Sequence, residues 1–248
     1  MKQSIKYNNE DIGRYFRENR VKWGQFYKSE KEVIEKVWPG GNPKILDIGC
    51  GCAGLGLALR EHFGHHNYIG IEINSQAALI AEEIYPDALI LEEDFLLLDH
   101  PSVQVNSFDI VFSLSCIDWQ LNFESLLQKA WSMVKENGVF IASFRITNSA
   151  TVNDIKKSYQ YINYAGISEG EVAPYVVLNS KQLLIYFEKL GAGNIFAYGY
   201  YGKPSQTAKT PYDQLCFGVF AVQKPKKEDT HFKREFLLPD EILRTMTS

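Results

Sequence analysis

The sequence has little that would hold a metal ion or a polyanion. Its four cysteines, Cys50, Cys52, Cys116 and Cys216, show no metal-ligand spacing. Cys50-x-Cys52 lies inside a glycine turn, where a tetrahedral ion would compete with whatever that turn binds. The cysteines read as small buried residues with free thiols, in keeping with a reducing cytoplasm, and no metal is expected. Lys and Arg number 26 against 30 Asp and Glu, a net charge of −4. No basic field is available to hold nucleic acid, which disfavours it as a partner. No apolar run is long enough to span a membrane, and the first residues hold no apolar signal core, so a cytoplasmic protein with no membrane partner is expected. Internal repeats and low-complexity segments are also missing.

What is present is an ordinary apolar content, 45% of 248 residues, enough for one α/β domain with embellishments. The chain is organised around Lys44-Ile45-Leu46-Asp47-Ile48-Gly49-Cys50-Gly51-Cys52-Ala53-Gly54-Leu55-Gly56. Ile45, Leu46 and Ile48 form the short apolar run of a strand buried on both faces. Gly49 and Gly51 remove side chains where the backbone turns and lies against a ligand. Leu55, Leu59 and Phe63 then recur at helical spacing. This is the strand, turn and helix of a nucleotide-binding unit.

Gly49, Gly51 and Gly54 fit G-x-G-x-x-G, the dinucleotide fingerprint. Asp47 argues against a dinucleotide, because a pyrophosphate needs helix N–H groups and no nearby negative charge. A carboxylate there suits a ligand carrying positive charge, and S-adenosylmethionine (SAM) carries a sulfonium and an ammonium and no phosphate. Leu46-Asp47-x-Gly49-x-Gly51 resembles motif I of the Rossmann-like, SAM-dependent methyltransferases. One departure is that Ala53 stands where that family often has a third glycine.

The second strand, Tyr68-Ile69-Gly70-Ile71-Glu72-Ile73, ends on a carboxylate about 20 residues after Gly51, the distance expected for an acid that accepts both ribose hydroxyls. Asn74 or Ser75 caps the next helix. After a third strand, Ala88 to Leu91, the resemblance implies that Asp94 lies near the adenine amino group and Phe95 beside the ring. The cofactor set is then Asp47, Gly49, Cys50, Gly51, Glu72, Ile73, Asp94, Phe95 and Ser113, for SAM and for S-adenosylhomocysteine as product.

Phe108 to Leu114 is the fourth strand. The proline-containing motifs of base-modifying amino-methyltransferases, and the Pro-Cys of cytosine methyltransferases, are absent after it, so Cys116 reads as packing or pocket lining. Asp118 and Trp119 either present a polar group and a flat wall to an acceptor or belong to the core. Asn137-Gly138 reads as a turn before a fifth strand, Val139 to Phe144. Arg145 follows it, either to anchor an anionic group or in a surface ion pair. Ser180 is read as capping a later helix. Asn194 to Tyr198 and Cys216 to Gln223 form a final antiparallel pair, with a tyrosine-rich loop from Gly199 to Tyr212 between them. Ahead of the core, a helical segment from about Asn9 to Trp38 places Trp23 and Tyr27 one turn apart. It either packs on the domain or covers the site.

The predicted fold is a doubly wound, mostly parallel seven-stranded sheet of the Rossmann-like methyltransferase kind. Residues 1–43 form an N-terminal helical cap, 44–223 the SAM-binding domain and 224–248 a C-terminal arm that docks on its own chain or on a second copy in a homodimer. The resemblance implies methyl transfer to a small polar molecule, such as an oxygen of a sugar or secondary metabolite. Trp23, Tyr27, Asp118, Trp119, Arg145 and Tyr200 are the candidate acceptor residues, and no catalytic residue is named. An NAD-dependent oxidoreductase and a SAM-binding protein without catalysis are the alternatives.

Overall fold

A computed structural model describes residues 16–248. A central sheet carries helices on both faces. β1 (Ile45–Ile48), β2 (Tyr68–Glu72), β3 (Leu89–Glu92), β4 (Phe108–Ser113) and β5 (Val134–Thr147) are parallel, and β9 (Ile195–Gly202) and β11 (Leu215–Gln223) close the sheet as an antiparallel pair. These seven strands are the predicted ones. The sheet gains two more: β8 (Leu178–Asn179) beside β5, and β12 (Arg234–Leu237), giving the main path β12-β9-β11-β5-β4-β1-β2-β3. The count of seven falls short because Arg234 to Leu237, in the arm, pair in parallel with Ile195 to Tyr198.

Each face of the sheet buries one helical layer. α1 (Lys28–Val37), α2 (Gly54–Phe63) and α3 (Ser75–Ile84) contribute Val33, Ile34, Leu55, Ala58, Leu59, Ala78 and Ala81 to one layer. α4 (Phe123–Met133), α5 (Ser180–Lys189) and α6 (Asp240–Thr247) contribute Leu126, Leu127, Ala130, Leu183, Phe187, Ile242 and Met246 to the other. Side chains in β1 alternate between the two layers, as strand geometry requires. Leu46 and Ile48 face the second layer, Ile45 the first. A separate three-stranded sheet, β10 (Ala208–Lys209), β6 (Tyr159–Tyr161) and β7 (Val172–Pro174), is built from the insertion after β5 and the β9–β11 connection.

Several boundaries differ from the sequence expectation for identifiable reasons. Asn137-Gly138 is a bulge inside β5, not a turn before it. Val134 already pairs with Phe108, the register shifts between Phe108 and Ile110, and Asn137 takes φ 65°. Asn74 caps α3, its Oδ1 accepting from the amides of Gln76 and Ala77, both at 3.1 Å. Asn179, not Ser180, caps α5, its Oδ1 accepting from Gln182 N–H at 3.1 Å. Tyr200 lies within β9, paired with Phe217, so the tyrosine run is strand before it is loop.

The helical segment expected before β1 is interrupted, and its part before Phe16 lies outside the described residues. Residues 16–19 are helical, Trp23–Gln25 forms a single 3-10 turn, and α1 starts only at Lys28. The break falls there because the Glu30 carboxylate accepts the Tyr27 amide at 2.9 Å, a cap that starts a new helix. Trp23 and Tyr27 therefore share no helical face. Trp23 stacks on His62 at 4.4 Å and meets Phe63 edge-on at the end of α2.

The stretch around Arg20 lies directly on the motif I turn. A Cβ on Gly54 would overlap the carbonyl oxygen of Arg20, which is backbone and has no rotamer to yield. Gly54→Ala is therefore expected to detach this stretch from α2 while the sheet stays folded, at a cost of about 1–3 kcal/mol. Hydrogen exchange at Val21, Trp23 and Gln25 should speed up; unchanged protection there would refute the contact.

Candidate functional site

The C-terminal ends of β1, β2 and β4 lie side by side, because Asp47 is in register with Gly70 on one side and Phe112 on the other. In an open α/β sheet this edge is where ligands collect. Gly49 and Gly51 turn the chain out of β1 at φ 71° and 56°. A Cβ on Gly49 would come 2.5 Å from Cys116 Sγ, so the thiol that follows β4 packs against the glycine turn. Ala53 adopts φ 56°, ψ 25°. The backbone keeps the left-handed shape that glycine takes without strain, and alanine tolerates it at a cost of about 1–2 kcal/mol.

Two carboxylates converge at this edge. Glu72 accepts the Gly51 amide at 2.8 Å through Oε2 and the Asn74 amide at 2.8 Å through Oε1. One side chain thus ties the turn after β1 to the turn after β2. Burial raises its pKa, and the amides of Asn74, Gly51 and Ile73 oppose the rise by favouring the ionised form. Asp47, 3% exposed, accepts the Tyr68 hydroxyl at 2.6 Å. Burial pushes its pKa up to about 7, against the pull of the Tyr68 bond and the Arg20 charge, with Glu72 adding repulsion. Arg20 is itself held by Glu30 at 2.8 Å and stacks over Phe26.

The remaining cofactor candidates spread along the same edge. Ile73 is half-buried just beyond Glu72. Asp94 is buried, and its Oδ1 accepts the Leu96 amide at 2.9 Å. The Phe95 ring belongs to the core layer, with Lys129 Nζ 5.1 Å from its centroid. Cys50 is buried against Gly70, where an added Cβ would meet its sulfur at 2.7 Å. The Ser113 side chain is buried at the end of β4.

Further along, at the end of β5, four residues form a second cluster. Arg145 Nε donates to Asp118 Oδ2 at 2.7 Å, with the two residues 3% and 5% exposed. The guanidinium lies 4.4 Å from the Trp119 ring centroid and 3.7 Å from that of Tyr175. Asp118, Trp119 and Arg145 are thus brought together, and the ion pair is buried, not on the surface. Tyr27 lies close enough to raise the Tyr175 hydroxyl, although burial is the main cause of that rise. Tyr200 is linked to the same side by its bond to Ser29 and by the nearby Tyr27. Trp23 is elsewhere, on α2.

Sequence reasoning missed Tyr68, Arg20, Glu30 and Tyr175. Tyr68 read as an ordinary strand residue, and its position 21 residues from Asp47 carried no signal. Arg20 was one basic residue among several. Tyr27-x-x-Glu30 was the available sign of a helix start.

No described group of His, Cys, Asp and Glu forms a metal site, and no described helix is long and apolar enough to cross a membrane. Comparison with known proteins agrees with the motif I reading. Residues 46–140 match a family described as a methyltransferase domain. The chain is 29% identical over 167 residues to phosphoethanolamine N-methyltransferase of Plasmodium falciparum, covering 63% of this chain and 60% of that protein. The chain spans about three fifths of the length of the curated relatives it matches. A SAM-dependent methyltransferase structure from Methanosarcina mazei superposes with TM-score 0.60 at 18% identity, covering 81% of this chain and 99% of that one. Phosphoethanolamine N-methyltransferase 2 of Haemonchus contortus, solved with phosphomonomethylethanolamine and S-adenosylhomocysteine, gives TM-score 0.62 at 15% identity, with 89% of this chain and 58% of that one covered. Residues 46–140 thus match a methyltransferase domain, and the sheet around them has the fold of Rossmann-like, SAM-dependent methyltransferase structures.

Proposed function

We propose that the chain binds SAM at the edge of β1, β2 and β4 and transfers its methyl group to a small polar acceptor. The observation that carries this reading is the Glu72 carboxylate, buried at the strand end and fixed by the amides of Gly51 and Asn74. The Gly51 and Asn74 amides occupy one side of the carboxylate, which retains acceptor capacity beyond them. Two ribose hydroxyls fit that remaining capacity. Glu72 would serve the ribose of NAD equally well; the pyrophosphate fits poorly because Asp47 places an acid beside the glycine turn where its charge would sit. A ligand with an ammonium and a sulfonium meets Asp47 with the opposite sign.

When bound, SAM supplies a methyl group on a sulfonium, ready for in-line displacement by a heteroatom. The residues of this chain then position and exclude. The glycine turn admits the ligand close to backbone, and the adenine is assigned to Asp94 and Phe95. The described part of the N-terminal segment, residues 16–43, acts as the cover, reaching the glycine turn through Arg20. Positioning supplies much of the rate for such a leaving group, so no general base is assigned. Oxygen of a sugar or secondary metabolite is the acceptor this reading favours. The likeness to phosphoethanolamine N-methyltransferases makes an amine the second choice.

Calorimetry with SAM, S-adenosylhomocysteine and NAD tests the cofactor directly. SAM and S-adenosylhomocysteine should bind and NAD should not; the reverse order would end the methyltransferase reading. Glu72→Gln should weaken both sulfur ligands tenfold to a hundredfold, equivalent to about 1.5–3 kcal/mol for charge-assisted bonds, without loss of fold. An unchanged dissociation constant would make Glu72 purely structural.

Asp47 gives a pH signature. Its folded pKa of about 7 lies above the ordinary 3.8, so the folded chain holds the proton more tightly than the unfolded one. Its contribution to stability is therefore greatest at low pH and is lost as pH rises from about 4 to 7. Asp47→Asn should melt higher than wild type at pH 8, with the gap narrowing toward pH 4. A cationic ligand selects ionised Asp47, so SAM affinity should rise between pH 6 and 8. Binding at pH 6 should release a proton, seen as a buffer-dependent heat. A flat pH profile in both measurements would show that the cation does not sit at Asp47.

A further inference from the structure

We infer that Arg145, backed by Asp118, forms a subsite for an oxyanion, a carboxylate or a phosphate, carried by the acceptor. Calling that molecule the acceptor rests on the methyltransferase reading; the anion site itself does not. Arg145 is 3% exposed, and its only hydrogen bond among the described residues is from Nε to Asp118. Nη1 and Nη2 have no partner there, and neither has Asp118 Oδ1. Enclosed charged donors without acceptors are costly and call for an explanation.

The geometry restricts what satisfies them. Trp119 and Tyr175 cover the guanidinium by cation–π contact, their rings 87° apart. Rings at that angle cannot both stack flat on the guanidinium, and neither supplies an oxygen acceptor to Nη1 or Nη2. Two parallel N–H donors in one plane match the two oxygens of a carboxylate or phosphate. Asp118 Oδ1 is also unpartnered, an acceptor that a hydroxyl or ammonium carried next to the oxyanion would fill. A sugar acid, a sugar phosphate or a phosphorylated amino alcohol has this chemistry. A neutral sugar leaves the fork unfilled.

The cluster is rigid enough to select. Arg145 sits in β5, opposite Phe217 of β11. The Asp118 carbonyl accepts the Val176 amide at 3.0 Å, and the Tyr175 carbonyl accepts the Ser158 hydroxyl at 2.6 Å. Tyr27, 54% exposed and close to Tyr175, marks the solvent side. Ion pairing alone does not account for the arrangement, because it leaves Asp118 Oδ1 and both Nη atoms of Arg145 without partners.

The test is thermal melting of the full chain with inorganic phosphate or acetate, against sodium chloride at equal ionic strength. At about 50 mM either oxyanion should raise Tm by roughly 2–4 °C. Arg145→Lys keeps the charge and loses the fork, and should abolish the rise. Asp118→Asn keeps the shape and removes the neighbouring negative charge, and should tighten phosphate about threefold. Phosphoethanolamine and glucuronate in the same assay separate phosphate-bearing from carboxylate-bearing ligands. A rise no larger than with chloride, or an equal rise in Arg145→Lys, would overturn the subsite. Should that variant fail to fold, unchanged phosphate affinity in Asp118→Asn overturns it instead. S-adenosylhomocysteine melted in parallel reports on the cofactor site alone, so either site can fail without the other.

Discussion

Two acids are buried at one sheet edge, and the structure around them is arranged to keep them there. Glu72 is held by amides from two different turns, and Asp47 by one phenol and the field of one arginine. Buried carboxylates without such partners would protonate or drive the edge apart. Much nearby follows from this constraint. Tyr68 spends its hydroxyl on Asp47 and its ring on Tyr85, 5.8 Å away. Arg20 is drawn over the glycine turn, and Glu30 holds it in place. Gly54 has no side chain because the Arg20 carbonyl occupies that space. The stretch before β1 is therefore part of the same electrostatic unit as the strand ends it lies upon.

This explains which features were legible in the sequence. Asp47, Gly49, Gly51 and Glu72 are read from local rules: a strand, a turn that needs positive φ, and an acid at the next strand end. Their geometry is fixed within about 25 residues, and period and glycine placement carry it. The seven principal strands are legible for the same reason, since each is a short apolar run bounded by turn residues. β12 is not, because Arg234 to Leu237 becomes a strand only through the edge of β9. Propensity alone would leave it as part of a charged arm.

The segment expected to be helical from about Asn9 to Trp38 is interrupted between Phe16 and Lys28, although its apolar residues recur at helical spacing. Capping decides otherwise: the Glu30 carboxylate binds the Tyr27 amide and starts a new helix there. The consequence is functional. Trp23 is carried to the end of α2, and Tyr27 is left near Tyr175 and Tyr200. The acceptor side was legible as a set of residue types and not as a cluster. Asp118 and Arg145 are 27 residues apart, and Tyr175 joins them from the insertion. No sequence period links three segments that meet only when β4, β5 and the insertion pack.

The edge divides by charge. Toward β1 and β2 it offers carboxylates, which suit a cationic ligand with vicinal hydroxyls. Toward β5 it offers a guanidinium with two uncommitted nitrogens. A ligand pair spanning this edge would place positive charge at one end and negative charge at the other, with the reacting atoms between. Asp118 pairs Arg145 through Nε at the β5 end. The polarity of the edge is thus set by one buried ion pair at β5 and one pinned carboxylate at β2. Between them, Cys116 packs on Gly49, so the turn after β1 and the segment leading to Asp118 are in direct contact. A shift in either would be felt by the other, which is how this fold can align two ligands bound on different strands.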